Sequence, residues 1–248
     1  MRRWLSGWRR RFDRGAALPP GATLTLSFDY ERGFAGEDPA AADAGLSAVL
    51  ELLARHAVRA TFNCVARIAE VEPARIAAIA AGGHEVACHG YTHESPRDLS
   101  HDALDQMLDR CRTALASVAP PPVGFRAPQS HWTAALLDRL PRYGFRYDAE
   151  HDRADRPYAL SAELIRMPVA TDDWDFVRHP DEAARLRDKH VAVVDRLAER
   201  GACVALGYHP WLLADAARLA VLDAVVERAR QRGVAIRPFF ELLAAATL

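Results

Sequence analysis

The sequence alternates short apolar segments with longer segments of helical periodicity, and this alternation constrains the fold more than any other feature. Successive βα units of this kind are typical of an α/β domain built on a parallel sheet. Strands are predicted at Thr23–Phe28, Val58–Phe62, Glu85–Cys88, Gly124–Arg126, Phe145–Tyr147, Leu164–Val169, Cys203–Gly207 and Val234–Arg237. Helices are predicted at Ala42–His56, Pro73–Ala81, Ser100–Val118, Trp132–Tyr143, Asp181–Arg200 and Ala214–Arg232.

About seven or eight βα units follow one another without a linker rich in Pro, Gly or Ser, which predicts one domain. We expect that domain to cover residues 22–248, after a separate segment at residues 1–21. A closed barrel and an open doubly wound sheet both fit the alternation. In either fold the functional side chains gather at the carboxyl ends of the strands, which is where we look for chemistry.

Composition excludes several other classes of protein. Half of the 248 residues are hydrophobic and 26% are charged, so the chain can bury a substantial core and is not disordered or fibrous. The net charge of −1 provides no general positive field, so we expect no nucleic-acid partner. Four widely spaced cysteines form no C-x-x-C pair, which argues against a zinc ribbon and predicts small buried side chains. These cysteines are Cys64, Cys88, Cys111 and Cys203.

The first residues form a basic and aromatic segment. Met1–Arg14 contains six arginines around Trp4, Leu5, Trp8 and Phe12, whose helical spacing predicts a short amphipathic helix. Such a helix can lie on an anionic membrane surface, and a tail that frays or packs on the domain is the alternative. No apolar stretch of about seven to fifteen residues follows the basic start, so no secretory signal is predicted. We therefore expect a cytoplasmic protein, with peripheral contact at the inner face of the membrane left open.

Two histidines, His89 and His93, follow the third predicted strand. Their i, i+4 spacing alone is a weak signal in a chain with 10 histidines. Their position directly after a strand, in a segment too rich in Gly and Thr for an ordinary packed helix, strengthens it. Two imidazoles so placed can hold one divalent ion, at about 2.0–2.1 Å from each nitrogen for zinc.

Two acids, Asp29 and Glu31, follow directly after the first predicted strand. Residues two apart in an extended strand point to the same side, while Tyr30 between them points to the other. Both carboxylates can therefore reach one site, where one could complete a set of metal ligands and the other could remain a free base. A solvated acidic turn is the alternative interpretation.

Arg126 and His209 follow two further strands. Phe125 before Arg126 and Pro128 after it indicate a constrained turn that aims the guanidinium inward. A lone His before a Pro is usually structural, but at the carboxyl edge of the sheet His209 becomes a candidate general acid.

The ordered motifs of the chain resemble those of the NodB-like polysaccharide deacetylases, carbohydrate esterase family 4, from about Thr23 to Phe240. The matching segments are Ser27-Phe28-Asp29, Gly83-His84-Glu85-Val86, His89-Gly90-Tyr91-Thr92-His93, Phe125-Arg126-Ala127-Pro128, Gly144-Phe145-Arg146-Tyr147-Asp148 and Tyr208-His209-Pro210.

This resemblance implies a distorted (β/α)7–8 barrel of the NodB type and a divalent metal, most commonly zinc, held by two histidines and one acid. It assigns the metal histidines to His89 and His93 and the catalytic base to Asp29. It further assigns the arginine that orients the base to Arg126 and the general acid to His209.

The sequence departs from the family pattern at three places. Tyr30 stands where a second Asp usually binds the metal, which makes Glu31 the expected ligand. Gln129 stands where a Tyr often follows the Pro of the third motif, so a backbone N–H there is expected to contribute. The acid that usually tunes the catalytic histidine is either Asp172 or Asp173, and we choose Asp173.

The resemblance implies removal of an N-acetyl group from an amino sugar, in a polymer, an oligosaccharide or a lipid- or nucleotide-linked precursor. Two enzymatic alternatives are a deformylase of a lipid-linked amino sugar and a metal-free ring-opening amidohydrolase. A catalytically silent barrel that binds glycans is the alternative of another class. Trp174 and Trp211 are the candidate aromatic contacts of the substrate, with Trp132 and Tyr208 near the same rim.

Overall fold

A computed structural model describes residues 21–179 and 182–245. The chain forms a barrel of parallel strands wrapped by helices. The strands are β1 (Thr23–Tyr30), β2 (Thr61–Cys64), β3 (Glu85–Cys88), β4 (Gly124–Phe125), β5 (Tyr147–His151), β6 (Tyr158–Ala159), β7 (Ile165–Thr171), β8 (Cys203–Tyr208) and β9 (Ala235–Ile236).

The barrel closes because β1 pairs with β8 along one side and with β2 along the other. The strand order β2-β3-β4-β5-β7-β8-β1 then returns to β2, so seven parallel strands form the ring. This closure confirms the barrel and excludes the open doubly wound sheet. Outside the ring, β6 runs antiparallel to β7, and β9 pairs with the first two residues of β1.

Helices follow most strands of the ring. They are α1 (Pro39–Arg55), α2 (Ile68–Val71), α3 (Pro73–Ala81), α4 (His101–Ala116), α5 (Ala134–Arg139), α6 (Asp175–Arg178), α7 (Ala183–Arg200), α8 (Ala216–Gln231) and α9 (Phe239–Ala245). Three of the four longest described helices begin where the sequence supplies a cap. The side chains of Asp38, Ser100 and Asp215 each accept a hydrogen bond from a backbone N–H in the first turn of α1, α4 and α8.

The predicted elements are present, with shifted ends in several cases. The first strand continues past Phe28 to Tyr30, and the strand predicted at Phe145–Tyr147 lies at Tyr147–His151. The helix predicted at Trp132–Tyr143 divides into α5 and a 3-10 turn, because Pro141 cannot continue the backbone hydrogen bonding. The short elements α2, α6, β6 and α9 have no strong sequence periodicity, and the sequence does not predict them.

Most of the core lies between the barrel wall and the surrounding helices, and a smaller cluster fills the barrel and its lower end, where Phe239 and Leu242 of α9 pack. All four cysteines are buried and unpaired, as predicted. Gly45 of α1 lets this helix approach the chain that follows β8, because a Cβ there would lie 1.7 Å from the carbonyl oxygen of Pro210.

Among the described residues, no helix has the length and hydropathy needed to cross a lipid bilayer. The amphipathic segment predicted at Met1–Arg14 lies outside the described residues.

Candidate active site

Three potential metal ligands converge at the carboxyl ends of β1 and β3. Glu31 follows the last residue of β1, and its Oε1 lies 3.0 Å from Nε2 of His93 and 3.7 Å from Nε2 of His89. One ligand atom from each residue lies within 4.8 Å of the other two. Two imidazoles and one carboxylate are a donor set that suits zinc and related divalent ions. The three side chains therefore fit the metal that the sequence led us to expect.

His89 is oriented by the backbone of the neighbouring strand. Its Nδ1 lies 2.9 Å from the carbonyl oxygen of Arg126, so this nitrogen carries the proton and donates to that oxygen. Nε2, the other ring nitrogen, faces Glu31. A backbone carbonyl that fixes the tautomer in this way is the usual support for a metal-binding histidine.

The loop that carries His93 is not a helix, although the two histidines are four residues apart. His93 has a φ of +64°, a left-handed conformation that is uncommon for a residue with a Cβ. Glu94 supports this bend because its Oε2 accepts the backbone N–H groups of Tyr91, at 3.1 Å, and Thr92, at 2.6 Å. The Glu94 side chain thus holds the loop in the shape that turns both imidazoles toward Glu31.

Asp29 lies beside these ligands and is held by two donors. Nε of Arg126 donates to its Oδ2 at 2.8 Å, and Nδ2 of Asn63 donates to its Oδ1 at 2.7 Å. Oδ2 also lies 4.0 Å from Nε2 of His89 and 3.9 Å from Nε2 of His209. Burial by itself raises the carboxyl pKa, but Arg126 and the two imidazoles outweigh it and hold the pKa of Asp29 well below its ordinary value. Asp29 is therefore ionised at neutral pH.

Tyr30 points away from this site. Its hydroxyl donates to Oδ1 of Asp43 on α1 at 2.7 Å, in the layer between the barrel and the helices. The alternation along β1 thus places Asp29 and Glu31 on the inner side and Tyr30 on the outer side. Tyr30 does not occupy a ligand position.

His209 is paired with Asp173 and not with Asp172. Its Nδ1 lies 2.6 Å from Oδ1 of Asp173, whose Oδ2 accepts the backbone N–H of His209 at 2.8 Å. Burial alone lowers the pKa of His209, but the nearby carboxylates, Asp173 first among them, outweigh it and raise the pKa to about 10. The ring is therefore protonated at neutral pH.

Asp172 has a different partner at the rim. Its Oδ2 lies 2.8 Å from Nε2 of the partly exposed His151. The pairing of β7 with β8 shifts in register between Val169 and Thr171, just before the two acids. Consecutive side chains point to different sides, so the two acids meet different neighbours. Gly207 of β8 permits the close approach, since a Cβ there would lie 3.1 Å from Cβ of Asp172.

The three residues predicted to contact substrate all lie at the mouth. Gln129, three residues after Arg126, has a φ of +58° and an exposed side chain. Trp174 is 42% exposed, with its ring centroid 5.2 Å from that of His209, and the ring of Trp211 lies 6.5 Å from the same imidazole.

Two other aromatic residues that the sequence suggested for the rim have structural contacts instead. Trp132 lies under the guanidinium of Arg166, and Tyr208 is buried with its hydroxyl 2.8 Å from Nδ1 of His190.

Sequence reasoning missed two side chains that support the site, Asn63 and Glu94. Asn63 follows an unremarkable apolar stretch, and only its register opposite Asp29 in the β1–β2 pair brings its amide to the carboxylate. Glu94 directly follows His93, and an acid beside a candidate ligand was a signal that could have been used.

Proteins of known family resemble this chain in sequence, and their family agrees with the geometry of the site. A family model described as polysaccharide deacetylase matches residues 19–147. A peptidoglycan deacetylase-like protein of Gibberella zeae is 35% identical over 127 residues, which are 48% of this chain and 35% of that protein. The peptidoglycan deacetylase of Helicobacter pylori is 28% identical over 153 residues, which are 59% of this chain and 50% of the relative.

Among solved structures, a Mycobacterium smegmatis protein assigned by name to the polysaccharide deacetylases superposes with a TM-score of 0.82 and 26% identity. The superposition covers 96% of this chain and 98% of that one. The matches to the two curated relatives span only half of their length or less.

Proposed function

The chain belongs to the polysaccharide deacetylase family, and from this premise we propose that it removes an N-acetyl group from an amino sugar with the help of a divalent metal ion. The observation that carries the proposal is the position of Asp29. Its carboxylate is held by Arg126 and lies within 4.0 Å of both His89 and His209. A base, a proton donor and a set of metal ligands thus meet at one point of the barrel mouth.

Glu31, His89 and His93 would hold the metal, which we take to be zinc. When bound, such an ion polarises a carbonyl group and lowers the pKa of water toward 7. Three protein ligands would match the number typical of catalytic zinc sites, in which water or substrate supplies the remaining ligand.

Asp29 acts as the general base in this proposal. Because Arg126 and Asn63 each occupy one of its oxygens, the carboxylate stays ionised and fixed in orientation, and it can take a proton from the attacking water. The same ion pair prevents Asp29 from turning toward the metal ligands.

His209 acts as the general acid. Its protonated ring carries the proton on Nε2, which faces Asp29 and the mouth, while Nδ1 is bonded to Asp173. It can therefore protonate the amine that leaves when the amide bond breaks, since an unprotonated amine is a poor leaving group. The backbone N–H of Gln129 is proposed to stabilise the negative oxygen of the tetrahedral intermediate. Trp174 and Trp211 are proposed to contact the sugar ring.

The names of the curated relatives favour a peptidoglycan-type substrate over a small nitrogenous metabolite, and we adopt N-acetylated aminosugar chains as the substrate class. We keep residues 22–248 as the proposed catalytic domain and residues 1–21 as a separate segment. A cytoplasmic location with peripheral membrane contact through that segment also stays a prediction from the sequence.

The test uses the purified full chain, stripped with a chelator and reloaded with zinc. N-acetylated chitooligosaccharides and peptidoglycan fragments are supplied, and released acetate and new free amine are measured. We expect acetate and amine in equal amounts and only with metal. Formate released from an N-formylated sugar would instead support the deformylase alternative.

The Asp29→Asn variant tests the mechanism. We expect turnover to fall by about 10²–10⁴-fold, the contribution typical of a general base, while zinc content is unchanged. Asp223→Asn, which alters a surface ion pair with Arg55, is the matched control and should retain activity. If Asp29→Asn remains as active as that control, the base assignment is wrong. If the zinc-loaded protein releases no acyl group from any substrate, the silent glycan-binding barrel becomes the better interpretation.

A further inference from the structure

A second pair of acids lies on the outer side of the barrel wall, opposite the inward-facing Tyr147 and Ala149 of β5. Asp148 and Glu150 are two apart on β5, so their side chains share one side of the strand, and both are completely buried. Neither belongs to the proposed catalytic or metal-binding set. Two carboxylates held together without water repel each other strongly unless one carries a proton or both are paired with cations.

The two nearby arginines form an ion pair with only one of these two acids. Nη2 of Arg166, on the adjacent strand β7, lies 2.9 Å from Oδ2 of Asp148. Arg126 faces Glu150, but its guanidinium bonds elsewhere, with Nε to Asp29 and Nη1 to the carbonyl oxygen of Ala149 at 3.1 Å. Two guanidinium groups thus face three acids.

Hydrogen bonding around these acids is also incomplete, because both oxygens of Asp148 and Nε of Arg166 are buried without a hydrogen-bond partner. Oε1 of Glu150 accepts the backbone N–H of Ala127 at 2.7 Å, whereas its Oε2 is buried and receives no hydrogen from any described residue. Glu150 and Asp148 are neighbours on the same side of β5, and both are buried away from water. A proton on Oε2 of Glu150 would provide a hydrogen-bond donor and reduce the excess negative charge in the same step.

We propose that Glu150 is a positioning residue that works as a neutral carboxylic acid, donating its O–H to Asp148 and accepting the N–H of Ala127. Through Ala127 it fixes the turn from Arg126 to Gln129. Arg126 keeps one full negative partner, Asp29, because Glu150 bears no charge to compete for the guanidinium. The role of this turn in catalysis rests on the proposed function, whereas the protonation of Glu150 does not.

The electrostatic surroundings agree with this assignment. Burial, followed by the charge of Asp148 on the same strand, raises the pKa of Glu150 above its ordinary value, and this outweighs the opposite effects of Arg126 and Arg166. Asp172 also faces Arg126 but lies at the rim, where its Oδ2 is 2.8 Å from Nε2 of His151. When Glu150 is protonated, the positive charges of Arg126 and Arg166 are therefore matched by two negative charges, on Asp29 and Asp148.

The deciding variant is Glu150→Gln. A glutamine keeps both bonds, with its oxygen on the N–H of Ala127 and its amide NH₂ on Asp148, and it cannot ionise. We expect kcat and KM of Glu150→Gln to stay within about threefold of the wild type. Glu150→Met removes both bonds, and the displaced turn should lower kcat by about 10²-fold with KM within about threefold and zinc content unchanged, as expected when a catalytic group is misplaced.

Infrared difference spectroscopy gives a readout that does not depend on activity. The wild-type spectrum at pH 7 should contain the carbonyl band of a protonated carboxylic acid that Glu150→Gln lacks. Glu163→Gln, at an exposed acid, is the control and should leave both that band and the activity in place.

Loss of activity in Glu150→Gln comparable to that in Glu150→Met, or absence of the Glu150 band, would overturn the inference. If instead the band is present and every variant is inactive, the deacetylase proposal fails and the assignment of the proton stands.

Discussion

The acid Glu85 at the lower end of the barrel should make the stability of the protein depend on pH. Oε2 of Glu85 accepts hydrogen bonds from Thr61 Oγ1 at 2.7 Å and from the backbone N–H of Phe240 at 3.0 Å, and Oε1 accepts the hydroxyl of Tyr147 at 3.0 Å. Within the described part of the chain no Arg or Lys forms an ion pair with it. Burial outweighs these hydrogen bonds and raises the pKa of Glu85 from 4.5 to about 7.

The sign of the effect follows from proton binding. Between pH 4.5 and about 7 the folded state holds a proton on Glu85 that the unfolded state has released. The free energy of unfolding therefore falls as the pH rises through this range and is constant with respect to Glu85 above it. A pKa change of this size corresponds to a change of about 3 kcal/mol in the free energy of unfolding.

The variant Glu85→Gln removes the ionisable group and keeps the shape of the side chain. The glutamine oxygen can accept from Thr61 and Phe240, and its NH₂ can donate to the hydroxyl of Tyr147, which reverses its own direction. We expect the variant to gain stability relative to the wild type as the pH is raised from 5 to 8, by a difference that grows to about 3 kcal/mol.

Urea unfolding of both proteins at several pH values and constant ionic strength measures this difference. Glu163→Gln, a change at an exposed acid, is the control and should follow the wild type at every pH. A stability difference between wild type and Glu85→Gln that is the same at pH 5 and pH 8 would refute the reasoning, since it would mean that Glu85 does not titrate between them.

Two further predictions concern the mouth of the barrel. Asp173→Asn should lower kcat by about 10²-fold, because the amide no longer stabilises protonated His209, whereas Asp172→Asn should change kcat by less than about threefold. Steady-state kinetics on zinc-loaded protein compares the two, and equal losses would contradict the pairing. Glu94→Ala should weaken zinc binding by about 10–100-fold, because the loop bearing the second ligand loses its support. Competition with a chromophoric chelator measures the affinity, and an unchanged affinity would show that the loop holds its shape without this carboxylate.

The sequence by itself determined the kind of fold and most of the chemistry. Alternating apolar segments and helical periods predict a parallel α/β domain, because only parallel strands need a crossover helix after each strand. The two-residue period of an extended strand places Asp29 and Glu31 together and turns Tyr30 outward, as the structure has them. These are local properties, set by neighbouring residues.

Contacts between distant parts of the chain were decided only by the tertiary structure. Arg126 reaches Asp29 across 97 positions, and Asn63 reaches it across 34. The sheet closes only because β1 pairs with β8, and the packing of the segment after β7 against the end of β8 decides that Asp173, and not Asp172, meets His209. The single proton proposed for Glu150 likewise depends on which charged side chains the folded chain brings together on β5 and β7. Local sequence patterns do not indicate such pairings. The interaction energy of each pair arises only when strands far apart in the chain lie side by side and water is excluded between them.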